Sequence, residues 1–403
     1  MLSVKTPFEV CECIHNNFSA GLPAETVSLR DAYGRILSES IVATEYVPGF
    51  HRSTVDGYAL RSEDTFGCSD SIPALLPLAF RVQMGSDCLR ALSPGECAYV
   101  PTGGAVPNGA DAVVMQEYSE RFGNDLIGIT KPAAPGMNMI FKGDDVFPGK
   151  TVLSKGHVLS AQDIGSLAAL GITEVPVVCK PKVGIISTGD ELVAPSETPA
   201  PGQIRDVNSA LLSALCEQSG ATAVNYGIFP DAEEKIGKAV DRALEECDVL
   251  LISGGSSVGE KDAACRILQE RGEILFHGIA MKPGKPAILA KVGNKGVWGL
   301  PGHPVAANFV FCLFVRPMLQ HLAGSEYRPR FTFATLSETV NANHGRAEYL
   351  GVHLIQNSNG LTAVPVRGKS GLISTLAETD GYLCVERDRE GIPAGETVAV
   401  YYY

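Results

Sequence analysis

The hydrophobic pattern changes character three times along the chain. Near the start, Phe8, Cys11, Ile14, His15 and Phe18 recur at helical spacing. Ahead of them, Thr6-Pro7-Phe8-Glu9 supplies an N-cap, a proline for the first helical position and a glutamate placed for a capping box. From about 26 to 180 the apolar runs are short, as in DAVVM (111–115) and LIGIT (126–130), and Gly and Pro are frequent. This predicts mostly β structure with one helix near 160–171. From Lys182 strand and helix patterns alternate. Strands are predicted over 182–187, 222–229, 248–253 and 286–292, and helices over 207–219, 231–247, 262–271 and 304–322. Asp231 is placed to cap the second helix, with Glu234 three residues on. Such alternation predicts a mostly parallel sheet with helices on both faces, which binds ligands in loops at the carboxyl ends of its strands. After about Pro329 the helical pattern stops, and strands over 349–355 and 396–403 predict a small β-barrel or sandwich.

Composition narrows the function classes. With 403 residues, 45% apolar and 19% charged, the chain is globular and long enough for two or three domains. A formal net charge of −12 argues against nucleic acid as a partner. The N-terminus lacks a basic stretch followed by an apolar one, so no signal peptide is expected. The run Ala306 to Val315 is too short to span a bilayer, so no membrane partner is expected. Eleven scattered cysteines without a C-x-x-C read as reduced thiols of a cytoplasmic protein rather than a metal site.

Four loops carry candidate chemistry. Residues 248–262, DVLLISGGSSVGEKD, run from an apolar strand into a glycine- and serine-rich turn before a helix. Backbone N–H groups there can cradle phosphate, although many strand–helix connections are glycine-rich without binding anything. Residues 183–192, VGIISTGDEL, place Asp190 and Glu191 at a strand end. Adjacent acids can hold Mg²⁺ beside substrate phosphates, or Asp190 can cap a helix. In MKPGKPAIL (281–289), Lys282 and Lys285 flank a Pro-Gly turn, either aimed together at a diphosphate or oxyanion or simply solvated. In GLPGHPVAANFVF (299–311), His303 opens a helix as a ligand contact or a cap. All four loops are expected to follow strands of the same sheet, which makes one shared crevice for a phosphate-bearing ligand. No G-x-G-x-x-G sits between a strand and a helix, and GDDVFPGKT (143–151) has one residue too many for a P-loop, so Pro148-Gly149 reads as a turn.

Together with VPGFHRSTVDGYAL (47–60), PTGGAVPNGADAVVMQE (101–117), GRAEYLGV (345–352) and GKSGLISTLAETDGY (368–382), these stretches resemble the molybdopterin molybdenumtransferase family, a relative of the gephyrin E domain. Eight such strings in family order make the resemblance specific. It implies an α/β multidomain fold: a molybdopterin-binding-type α/β domain at 178–327 with a mostly parallel sheet, β-rich domains, and a C-terminal β-barrel at 328–403. The N-terminal helix (1–26) would pack on the α/β domain. A connecting domain would be split between 27–46 and 148–177, around a β-rich domain at 47–147.

The implied reaction inserts molybdate into adenylylated molybdopterin with release of AMP. By motif, Asp190, Glu191 and Asp262 would hold Mg²⁺, with Asp231 nearby. Gly254, Gly255, Ser256 and Ser257 would cradle phosphate or pterin. Lys282, Lys285, Arg346 and Ser370 would favour the oxyanion, with His303 beside them. Asp56, Thr102 and Glu117 would close the cleft from the other subunit of a homodimer. Some positions depart from the family pattern: Ile140 stands where arginine is common, Asp144 where glutamate is common, His51 where aspartate is, and His303 where asparagine is. Rival readings are the adenylyltransferase of the same pathway, which is also an expected partner, and a non-catalytic scaffold. Molybdate and tungstate are not distinguished.

Overall fold

The computed structural model describes residues 4–86, 88–123, 125–254, 263–358 and 360–403. Helix α1 (Pro7–Asn17) begins with the expected capping box: the Glu9 N–H donates to Thr6 Oγ1 at 3.3 Å, and the Thr6 N–H donates to the Glu9 carboxylate at 2.7 Å. Its apolar face, Val10, Cys13 and Ile14, joins the core of the distant α/β region. His321 Nε2 donates to the Phe18 carbonyl at 2.8 Å and fixes the exit from the helix.

Two segments far apart in sequence then share a small core. Ala24–Ser28 pairs antiparallel with Glu174–Val178, and Ile41–Val42 with Thr151–Leu153. With helix α2 (Ala161–Ala169) they enclose Leu37, Leu159, Leu167, Val175 and Val177. Between them lies a six-stranded sheet, in the order Ala112–Met115, Gly57–Leu60, Cys97–Val100, Ala74–Arg81, Leu126–Ile129, Ser119–Phe122. Gly149, with φ of 91°, sits in a turn just before Thr151–Leu153, as expected from Pro148-Gly149.

The α/β region is one sheet of six strands: β1 (Lys182–Thr188), β2 (Thr222–Phe229), β3 (Val249–Ser253), β4 (Glu273–His277), β5 (Ile288–Val292) and β6 (Lys295–Leu300), in the order β2-β1-β3-β6-β5-β4. The first four in that order are mutually parallel, and β5 is antiparallel to both its neighbours. The two-residue period of a strand sends successive side chains to opposite faces. Ile185 and Leu251 therefore enter the core formed with α1, helix α3 (Asn208–Gln218) and the long helix α6 (Pro304–Leu322). Ile186, Leu250 and Ile252 enter the other core, under α4 (Glu233–Glu246) and α5 (Ala263–Arg271). Burial on both faces explains why these strands read as continuous apolar runs. Helix α6 is long and apolar enough to cross a bilayer, but 78% of its apolar window is buried inside the fold, so it is a core helix.

Asp231 does not cap α4. Ala232 occupies the N-cap position without a side-chain bond, and the Asp231 N–H donates instead to Asp190 Oδ1.

The C-terminal strands close a five-stranded barrel. Phe331–Leu336, Ala347–Asn357, Gly360–Pro365, Gly381–Val385 and Thr397–Tyr402 surround Leu336, Val352, Leu383 and Val400. The two-residue strand Met281–Lys282 adds to this barrel, parallel to Ala347–Glu348. The expectation that all four loops follow strands of one sheet is therefore corrected for Lys282. The chain leaves the α/β sheet after β4, touches the barrel at Met281–Lys282, and returns as β5. Phe309 of α6 packs edge-on against Tyr382 at 5.5 Å and leans on Tyr349 at 5.9 Å, so aromatic surface seals the barrel to the α/β region.

Candidate functional site

A cleft of about 1720 Å³ lies between the carboxyl edge of the α/β sheet and the barrel. The strand order distributes its chemistry. Loops after β2 and β1 carry acids, loops after β3 and β6 carry glycines and His303, and the connection between β4 and β5 carries lysines. The acidic and basic ends therefore lie toward opposite sides of the sheet.

The acidic corner consists of Asp190, Glu191 and Asp231. The Gly189 N–H donates to the Phe229 carbonyl at 3.1 Å, and the Asp231 N–H donates to Asp190 Oδ1 at 3.2 Å, which ties the two loops together. Glu191 and Asp231 line the cleft, and Asp190 is exposed beside them, outside its lining. Asp190 caps no helix, because the chain continues into the short strand Leu192–Val193, paired with Ile204–Arg205. Burial, then the charges of Asp190 and Glu191, raise the Asp231 carboxyl above its ordinary range.

The floor is built around Gly254, at φ of 97°. A Cβ there would lie 2.2 Å from the Thr188 carbonyl oxygen, so only glycine lets the β1 and β3 loops approach. Asn208 Nδ2 donates to Ser253 Oγ at 2.7 Å and to the Gly302 carbonyl at 2.9 Å. Asn208 is 6% exposed, and its Oδ1 accepts no hydrogen bond from the described residues. An unpaired buried acceptor at the cleft wall favours a ligand carrying an N–H or O–H. The expectations for Gly255, Ser256, Ser257 and Asp262 lie outside the described residues.

The basic end joins two parts of the molecule. Lys282 Nζ lies 3.1 Å from Glu348 Oε2, and Arg346 Nε lies 3.7 Å from Glu348 Oε1. Lys285 lines the same cleft. Burial disfavours ionisation of Glu348, but the Asn343 backbone N–H and the Lys282 ammonium outweigh it and hold the carboxyl below its ordinary range. His303 stands at the N-cap position of α6, makes no capping bond, and pairs through Nδ1 with Ser370 Oγ at 2.7 Å. The Val305 N–H donates to the Ser370 carbonyl, which clasps the barrel loop to the helix start.

Asp56, Thr102 and Glu117 do not line this cleft. They gather at one end of the N-terminal six-stranded sheet, where Asp56 Oδ1 accepts from the Thr102 N–H at 2.7 Å and from Thr102 Oγ1 at 3.0 Å. The Gln116 N–H donates to the Asp56 carbonyl, which brings the turn carrying Glu117 alongside. Gly57 allows this, since a Cβ there would meet the Val114 carbonyl oxygen at 2.0 Å. Among the described residues, no three His, Cys, Asp or Glu side chains form a metal-holding group. Sequence reasoning missed Asn208 and Glu348. Glu348 had a readable signal in its position, two residues after the candidate Arg346 and at the start of the strand Ala347–Asn357.

Known proteins match over the whole chain. The model of the MoeA N-terminal region (domain I and II) matches residues 6–171, that of a probable molybdopterin binding domain matches 184–321, and that of the MoeA C-terminal region (domain IV) matches 334–403. A molybdopterin molybdenumtransferase of Staphylococcus aureus is 33% identical over 98% of this chain and 96% of its own length. That of Bacillus subtilis is 32% identical over 99% of this chain and 95% of its own. The crystal structure of the molybdopterin biosynthesis moeA protein from Pyrococcus horikoshii superposes with a TM-score of 0.89 at 36% identity, covering 99% of this chain and all of that one. With these matches at both ends of the described cleft, the chain belongs to the molybdopterin molybdenumtransferase family of molybdenum cofactor biosynthesis.

Proposed function

We propose that this chain inserts molybdate into adenylylated molybdopterin and releases AMP, using the cleft between the α/β sheet and the barrel. The observation that carries this reading is the charge order of the cleft, acids at one end and lysines with Arg346 at the other. A substrate with a diphosphate needs a cation at its anhydride, and an incoming oxyanion needs fixed positive charge.

Glu191 and Asp231, with Asp190 beside them, suit Mg²⁺, which takes one or two carboxylates and completes its shell with water and substrate phosphates. The raised carboxyl of Asp231 is in keeping with the fit: burial raises it first, and the neighbouring charges of Asp190 and Glu191, which a cation would neutralise, raise it further. When bound, Mg²⁺ would stabilise charge developing on the phosphates as AMP leaves. Gly254 lets the backbone come close to the ligand, and Asn208 Oδ1 accepts a donor from it. Lys282, Lys285 and Arg346 bind the oxyanion. Ser370 orients against His303. In a homodimer, Asp56, Thr102 and Glu117 would complete the opposite wall from the second subunit. The same reading makes the protein cytoplasmic, in keeping with eleven cysteines of which none forms a disulfide among the described residues. The adenylyltransferase of the same pathway would then supply the substrate. Matched regions on both sides of residues 184–321 argue against this chain being that adenylyltransferase.

The test is AMP release from adenylylated molybdopterin by the purified protein with Mg²⁺, with and without molybdate. Molybdate-stimulated release is expected. A folded protein that releases no AMP under either condition would overturn the proposal.

A further inference from the structure

Glu348 stands among the cations assigned to the oxyanion. One carboxylate oxygen lies 3.1 Å from Lys282 Nζ, and the other lies 3.7 Å from Arg346 Nε and accepts from the Asn343 N–H at 3.1 Å and from Asn343 Nδ2 at 3.2 Å. Its side chain is 13% exposed, whereas that of Lys282 is 51% exposed. The carboxylate is thus held from behind by Asn343, while the ammonium reaches into the cleft. The pairing of Met281–Lys282 with Ala347–Glu348 brings lysine and glutamate side by side.

We propose that Glu348 is an internal counter-anion that competes with the incoming oxyanion for Lys282 and so sets the affinity of the basic end. This rests on the reading of Lys282 as an oxyanion ligand. With Glu348 ionised, the cluster of Lys282, Arg346 and Glu348 carries one net positive charge; without that carboxylate charge it carries two. An entering dianion must loosen the Lys282–Glu348 pair before it gains the full attraction of the ammonium. Glu348 is therefore a positioning residue for Lys282, and it keeps the oxyanion exchangeable rather than trapped.

The experiment is equilibrium dialysis of molybdate alone against the full-length protein, the Glu348→Gln and Lys282→Ala variants and the double variant, with thermal melting as the check of folding. Gln keeps an oxygen for Asn343 and removes the charge. Glu348→Gln is expected to bind molybdate about five- to tenfold more tightly, and Lys282→Ala to bind it at least tenfold more weakly. In the Lys282→Ala background the effect of Glu348→Gln should shrink to about twofold or less. Lys282→Ala with unchanged binding would overturn the oxyanion reading of Lys282. Weakened Lys282→Ala binding, with Glu348→Gln unchanged or weaker, would overturn the counter-anion while leaving that reading intact. Should Glu348→Gln fail to fold, Glu348→Asp draws the carboxylate back from Lys282, and a smaller gain in the same direction is expected. No gain there would also overturn the counter-anion.

Discussion

The two ends of the cleft handle charge in opposite ways. At the acidic end, Asp190, Glu191 and Asp231 bring like charges together with no paired cation among the described residues, and burial, then the charges of Asp190 and Glu191, makes Asp231 hold its proton more tightly. At the basic end, Lys282 and Arg346 share Glu348, whose carboxyl is held ionised. Among the described residues, one end has no internal counter-charge; the other is compensated from within. The difference teaches where binding energy is available. A divalent cation gains the full relief of repulsion at the acidic end, whereas an oxyanion at the basic end must compete with a resident carboxylate.

The sharpest way to break this comparison is at the acidic end. Glu191→Gln should lower AMP release by about 100- to 1000-fold, since it removes charge where the metal and phosphates meet. A rate within about twofold of the parent would remove Glu191 from the site. Next in size is the glycine floor between the ends. Gly254→Ala forces a Cβ onto the Thr188 carbonyl at a positive φ, and should destabilise the α/β region by about 1–3 kcal/mol. Urea unfolding followed by the fluorescence of Trp298, the sole tryptophan and fully buried in that core, reads the change. An unchanged midpoint would mean that the two loops part without strain. Smaller again, Lys282→Ala should raise the molybdate needed for half-maximal AMP release about tenfold, with the maximal rate less affected. An unchanged molybdate dependence would break the basic half of the comparison.

Much of the fold was legible in the chain because local rules agreed with the tertiary outcome. Thr6 and Glu9 form the expected capping box, and the strand at Ile185-Ile186 feeds two cores as a fully buried strand must. The two barrel strands expected over 349–355 and 396–403 and the long α6 also follow their patterns. What escaped was non-local. The pairing of Met281–Lys282 with Ala347–Glu348 is two residues long and leaves no periodic trace. Asn208 meets Ser253 across 45 residues of sequence, and an asparagine at a helix start reads as ordinary capping chemistry. Asp231 read as a cap for the same reason, and only the approach of the β1 and β2 loops gives it Asp190 as a neighbour.

The smallest expected effect separates the two ends by the sign of their pH response. The Asp231 carboxyl has a folded pKa raised above 3.8, so the folded state binds the extra proton and stability falls as pH rises through that window. Asp231→Asn should therefore melt slightly above the parent at pH 7 in the absence of divalent cation. The Glu348 carboxyl has a folded pKa below 4.5, so its contribution is present above that value and is lost as pH falls through the folded pKa. Glu348→Gln should melt slightly below the parent at pH 7. Both groups are partly solvated, so each difference should stay under about 1 kcal/mol, a shift of about 1–2 °C. The Asp231 difference should fade as pH falls below 3.8, and the Glu348 difference should fade only as pH falls through its lowered folded pKa. Mg²⁺ should then split the pair: it stabilises the parent at the acidic end by mass action, which reverses the sign for Asp231→Asn and leaves Glu348→Gln where it was. Equal responses of the two variants to Mg²⁺ would mean that the acidic corner is not where the cation binds.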